Sequence, residues 1–264
     1  MRPMRPTRPT RPWQRERVIA IDLTVVQLVV VASIVFGAAT VQVLSGFGFG
    51  LMTVPLMSLV ISTREAVVVS TLLGVCLSSW QAWHLRADAV RALVVRFTGA
   101  AYVGMPIGLW VFVAVDDHTL RLLLGIAVLG SVVLLACGIN LHHVGPGLDI
   151  GAGFLSGVLN TSLSTNGPPL VFVLQARQLE APAFRGTISQ VFAWSNVVGL
   201  TLFLVAGKVT AEGVVAASVA LPALIAGQFV GFPLRRHVHG ERFRWLVLTL
   251  LSAAALSAIV SALR

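Results

Sequence analysis

The chain has 264 residues, of which 56% are hydrophobic and only 11% charged, at a mean hydropathy of +0.89. That excludes an ordinary soluble domain, in which about a quarter of the residues are charged, and predicts an all-α, polytopic integral membrane protein. The net charge of +9 does not argue for nucleic acid, because 6 of the 19 basic residues fall in the first 17 positions.

Those positions form a low-complexity Pro/Arg repeat that cannot bury a core and reads as a disordered tail held near anionic lipid head groups. No small-residue cleavage pattern follows the first apolar run, so that run reads as a retained helix and not as a signal peptide. Apolar stretches then predict a helix over 18–44, a break at Ser45–Pro55 with a short apolar piece over 51–61, and spans over 65–83, 92–115 and 119–139. Residues 140–148, with His142, His143, Gly145, Pro146 and Gly147, read as a connection. A second series follows: 149–160, a break at Ser162–Pro169, a short piece over 170–174, and spans over 184–206, 214–234 and 243–263. The expected architecture is about eight spans plus half-helices in one transmembrane domain over 18–264, with repeat one at 18–139 and repeat two at 149–264.

The halves resemble each other in residues as well as hydropathy. Gly104 and Gly108 fall on Gly227 and Gly231 at an offset of 123, Leu120-Arg121 falls on Phe243-Arg244 at the same offset, and Gly50 falls on Gly167 at 117. Such small-xxx-small pairs let helix backbones approach closely, and helix packing is the role expected of them. The loop of Arg86, Arg91 and Arg96 is basic and that of Asp116 and Asp117 acidic. In the second half the loop of Lys208 and Glu212 is neutral and that of Arg235, Arg236, Arg242 and Arg244 basic. Because Lys and Arg favour the cytoplasmic side, equivalent loops lie on opposite sides, as in an inverted-topology repeat with broken or re-entrant helices. Ten full crossings would place the Arg-rich tail outside, against the same rule. Either one broken element near Gly46 re-enters without crossing, or the mature protein lacks the tail.

These features resemble the TauE/SafE-like sulfite exporters, through Gly46-Phe-Gly-Phe-Gly50 with Pro55, through Gly167-Pro168-Pro169, and through the Leu-Arg or Phe-Arg start of each half's last span. The resemblance covers the chain from Val18 onward. It implies a multi-pass permease of the bacterial inner membrane for a small sulfur-containing anion or related organic acid. The second break departs from a glycine-rich form by its hydroxyl and amide side chains.

The chemistry expected at the breaks is anion binding. A broken helix presents an N-terminal end with unpaired N–H donors and a partial positive charge, and such ends hold anions without a buried cation. Gly46, Gly48 and Gly50 allow a ligand close to the backbone, Pro55 closes the first motif, and Pro168 suits the first turn of a restarting helix. Ser45, Asn160, Ser162, Ser164, Thr165, Asn166 and Gly167 would add neutral hydrogen bonds, with Gln190 and Asn196 as further pathway residues. Gln42, Trp80, Gln81 and Trp194 read as interhelical or interfacial groups. All ten acids fall in the tail, in loops or near span ends, which removes the usual proton relay. The six histidines fall at loops, so an intramembrane Ser–His enzyme, a metal and a cofactor are not expected. Cys76 and Cys137 read as core residues. The partners expected are a small anion and the lipid bilayer, with homo-oligomerisation left open. The alternative is a membrane assembly or sensor protein that does not transport.

Overall fold

In the computed structural model, which describes residues 24–136 and 145–234, nine α-helices and no strand occur among the described residues. The tail, Cys137, the histidines of the connection and the last expected span lie outside them. α1 (Val25–Ser45) and α3 (Thr63–His84) begin with reciprocal caps, Thr24 with Gln27 and Ser62 with Glu65, each pair satisfying two amides that the first turn leaves orphaned. α2 (Phe49–Met57), α4 (Arg91–Ala114) and α5 (Asp117–Ala136) complete the first series. α6 (Pro146–Leu163), α7 (Gly167–Ala176) and α8 (Ala181–Val205) each carry proline in the first turn, where its missing N–H costs nothing, and α9 (Ala211–Leu234) follows. Pro146 starts α6 three residues earlier than the apolar pattern indicates.

Two of these helix pairs are hairpins. The Gln27 side chain, in the first turn of α1, donates to the Val60 carbonyl at 2.8 Å, so the chain leaving α2 comes back beside the start of α1. Asp149, in the first turn of α6, accepts from Arg177, the residue capping the C-terminus of α7.

The hairpins point in opposite directions. Gln190 near the start of α8 donates to the Ala82 carbonyl near the end of α3, so these central helices run antiparallel. α1 packs along α9 and α4 along α6, and each of these pairs becomes the other when the halves are exchanged. Both contacts are backbone-close. A Cβ on Gly104 would lie 2.2 Å from the Phe154 carbonyl, one on Gly157 2.0 Å from that of Ala101, and one on Gly227 2.5 Å from that of Phe36. Small residues at a membrane helix interface have this use.

Outside this framework the surface is apolar, with Val29, Val95, Trp110 and Phe229 exposed, and among the described residues five helices are long and apolar enough to cross a membrane. Cys76, expected in the core, is exposed on α3. Asp149 sits near a helix start, as expected of the acids, yet it is fully buried.

Candidate functional site

The first break is a self-contained turn. Gly46 caps α1 at φ 88° and Gly48 caps α2 at φ 105°, left-handed values that a side chain rarely tolerates. Gln42, one turn before the end of α1, spans the gap. Its Oε1 accepts from the Phe49 amide, the first of α2, at 3.1 Å, and its Nε2 donates to Gln81 Oε1 at 3.3 Å. The Ser45 hydroxyl is spent locally, on the Val41 carbonyl at 2.8 Å. The next amides of α2, those of Gly50 and Leu51, have no acceptor within the helix.

The second break is built from polar residues and is less complete. Ser164 caps α6 in the left-handed region at φ 52°, where a non-glycine residue carries strain of about 1 kcal/mol. The Asn166 carbonyl accepts from Ser156 at 2.8 Å, and Pro168 and Pro169 fill the first turn of α7. Aligned by their caps, Gly46 falls on Ser164 and Gly48 on Asn166, an offset of 118, so the counterpart of Gln42 is Asn160. Asparagine is one methylene shorter than glutamine. Its Nδ2 donates to the Ser195 carbonyl at 3.0 Å, and its Oδ1 has no partner. Thr165 Oγ1, Asn166 Nδ2 and Ser195 Oγ are also buried without a partner. No such orphan occurs among the described residues of the first break.

The two tips meet at the centre. Gly50 lies so close to the second tip that a Cβ on it would come within 1.8 Å of the Ser164 carbonyl. Gly48 and Gly50 of one tip and Ser164, Thr165, Asn166 and Gly167 of the other line a small cavity, joined by Gln42 of α1, Phe49 and Leu51 of α2, Ser70 and Gly74 of α3, and Phe192 and Asn196 of α8. Its volume, as space open to the centre of a water molecule, is about 20 Å³, room for on the order of one water. No charged side chain and no histidine is among its lining residues. Its field therefore comes from the N-terminal ends of α2 and α7 and from neutral donors.

Seven of the residues singled out in the sequence thus line one cavity: Gly48, Gly50, Ser164, Thr165, Asn166, Gly167 and Asn196. The others flank or support it. Ser45 and Gly46 end α1, Pro55 is buried inside α2 with its carbonyl accepting from Ser58, and Pro168 stands behind Gly167. Asn160 lies a turn below the tip, and Ser162 donates to the Val158 carbonyl of its own helix. Gln190 ties α8 to α3 away from the cavity. Ser70, Gly74 and Phe192 went unnoticed in the sequence, since a serine, a glycine or a phenylalanine within an apolar helix carries no signal of its own.

The second hairpin is also clamped at its root. Arg177 donates to both Asp149 carboxylate oxygens at 2.8 Å, and Arg96 of α4 reaches Oδ2 at 3.3 Å. A carboxylate this buried requires such partners.

The family model described as Sulfite exporter TauE/SafE matches residues 31–258. A relative from Comamonas testosteroni, described as a probable inner membrane transporter protein TsaS, is 29% identical over 177 residues, which are 63% of this chain and 71% of the relative. No solved structure matches.

Proposed function

Because the chain belongs to the sulfite exporter TauE/SafE family of membrane transporters, we propose that this multi-pass inner-membrane protein carries a small anion: sulfite, an organosulfonate or a related organic acid. The observation that carries this reading is the neutral cavity between two oppositely directed hairpin tips, where two helix N-termini converge on unpaired buried donors.

In this reading the anion's oxygens take the Gly50 and Leu51 amides of α2, the Gly167 amide of α7, the Asn166 side-chain amide and the Thr165 hydroxyl. Prolines at 168 and 169 leave α7 with fewer amides to offer, and Asn166 and Thr165 replace them. A cavity of about 20 Å³ is too small to hold such an anion, so carriage requires one hairpin to part from the other, first toward one side and then toward the other. An inverted repeat supplies such a motion by symmetry. Antiparallel α3 and α8 and the exchangeable pairs α1 with α9 and α4 with α6 support it. Arg86, Arg91, Arg96 and Arg177 gather at the end where α4 and α6 begin, which supports a cytoplasmic position for that end.

Purified protein in proteoliposomes, loaded with labelled sulfite, a taurine-like sulfonate or a short carboxylate, provides the test. Saturable flux of at least one of them, competed by the others, is expected. Absence of flux for all three would contradict this substrate class.

A further inference from the structure

Beside the cavity four hydroxyl oxygens lie in an unbroken row. Thr53 Oγ1 of α2 is 2.9 Å from Ser70 Oγ, Ser70 Oγ is 3.3 Å from Ser164 Oγ, and Ser164 Oγ is 3.3 Å from Thr71 Oγ1. All four residues are buried, and Ser70 and Ser164 also line the cavity. We infer that this row is a binding site for a monovalent cation of the size of sodium, co-bound with the anion; the inference rests on reading the cavity as the anion's site.

The four hydroxyls hydrogen-bond to one another, and the same oxygens suit a cation. Thr53 donates its proton to the Phe49 carbonyl of its own helix at 2.8 Å, and Thr71, within reach of both the Val67 carbonyl at 2.9 Å and Ser164 Oγ at 3.3 Å, donates to the nearer carbonyl. That leaves the lone pairs of both outer oxygens facing the row. An ion holding oxygens at about 2.4 Å, a length in the range found for Ca²⁺, sets neighbouring oxygens roughly 3.4 Å apart, close to the two 3.3 Å spacings at Ser164 and wider than the 2.9 Å between Thr53 and Ser70. The row contains no carboxylate, the ligand on which divalent ions depend, so a single charge fits it best.

Position and charge agree with this. Ser164 is the cap at the C-terminal end of α6, where the carbonyl ends of the helix carry about half a negative charge. Unwound helix ends of this kind coordinate sodium in membrane transporters. Next to Ser164 in the chain, Thr165 Oγ1 is buried without any hydrogen-bond partner and lines the same cavity, so its lone pairs are unspent. An anion in this cavity is held by helix ends and neutral donors alone, and a cation a few ångströms away adds a direct charge attraction to that hold. The two sites are coupled through protons: a cation taking the lone pairs of Ser70 and Ser164 turns their O–H groups toward the cavity, where the anion accepts them.

The test uses the full chain in detergent at constant ionic strength, with choline chloride replaced stepwise by sodium, lithium or potassium chloride. Sodium is expected to raise the melting temperature saturably, above the effect of potassium. Sulfite is expected to bind at least tenfold more tightly in sodium than in choline, and by reciprocity sodium binds more tightly by the same factor when sulfite is present. Ser70→Ala and Thr53→Val are expected to lose the sodium response, and Ser70→Thr, which keeps the hydroxyl, to retain it. Equal responses to sodium and choline, or a full sodium response in Ser70→Ala, would overturn the inference. Sulfite binding of unchanged affinity in choline would do so too, and would leave the anion reading standing. A sodium response without binding of any anion would remove the anion reading and with it the co-binding.

Discussion

The two hairpins share an architecture and differ in where their hydrogen bonds are complete. At the first tip Gln42 closes the gap between α1 and α2, whereas at the second the shorter Asn160 leaves its oxygen, together with Thr165, Asn166 and Ser195, unpaired. At the roots the order reverses. The first hairpin is tied by one neutral hydrogen bond from Gln27, and the second by Asp149 between two arginines. A clamped hairpin with an open tip is suited to recognise a ligand; a lightly tied hairpin with a finished tip is suited to move past it.

Breaking the roots separates these roles most strongly. Asp149→Ala leaves Arg177 without its bidentate acceptor and is expected to destabilise the protein by about 3 kcal/mol, the lower end for a broken buried pair because Arg177 is partly exposed. Gln27→Ala at the other root is expected to lose about 1 kcal/mol. Melting temperatures of the two variants in detergent check the contrast, and equal losses would remove the asymmetry.

At the tips, Gly50→Ala drives a methyl group into the Ser164 carbonyl and is expected to abolish flux and lower stability by about 2 kcal/mol. Gly167→Ala meets nothing nearer than 3.6 Å and is expected to leave stability nearly unchanged. Gln42→Leu removes the bond to the Phe49 amide and is expected to cost about 1.5 kcal/mol of stability. Circular dichroism melts together with proteoliposome flux distinguish loss of fold from loss of function.

A small pH effect serves as a control away from both tips. The Thr119 hydroxyl, and then its backbone amide, hold the exposed Asp116 carboxyl below its usual value. A lowered carboxylate gives stability that is present above the ordinary pKa and lost as pH falls through the lowered one. Thr119→Val is therefore expected to narrow, slightly, the difference in melting temperature between neutral and acidic solution. Sulfite affinity should not follow it.

Much of this was legible in the chain, for identifiable reasons. Glycine and proline punctuate helices by sterics alone, so both breaks and most helix ends could be read within a few residues. The register of the repeat was harder. Matching Gly50 to Gly167 set the offset at 117, while the caps align at 118, because serine at 164 takes the left-handed position that glycine takes at 46. Ser70 gave no sign because its partners Thr53 and Ser164 are 17 and 94 residues away. The burial of Asp149, read as an acid near a span end, went unseen for the same reason, with Arg177 and Arg96 28 and 53 positions distant.

The most direct measurement is the affinity of sulfite for Asn166→Ala beside the unaltered protein. Asn166 Nδ2 has no partner within the protein, so its removal should leave the melting temperature without ligand unchanged. If the open tip reads the anion, the dissociation constant rises about tenfold, the loss of roughly 1.4 kcal/mol expected for one hydrogen bond to a charged ligand. An unchanged affinity, or a loss matched by Gln42→Leu at the finished tip, would contradict the division of labour between the two hairpins.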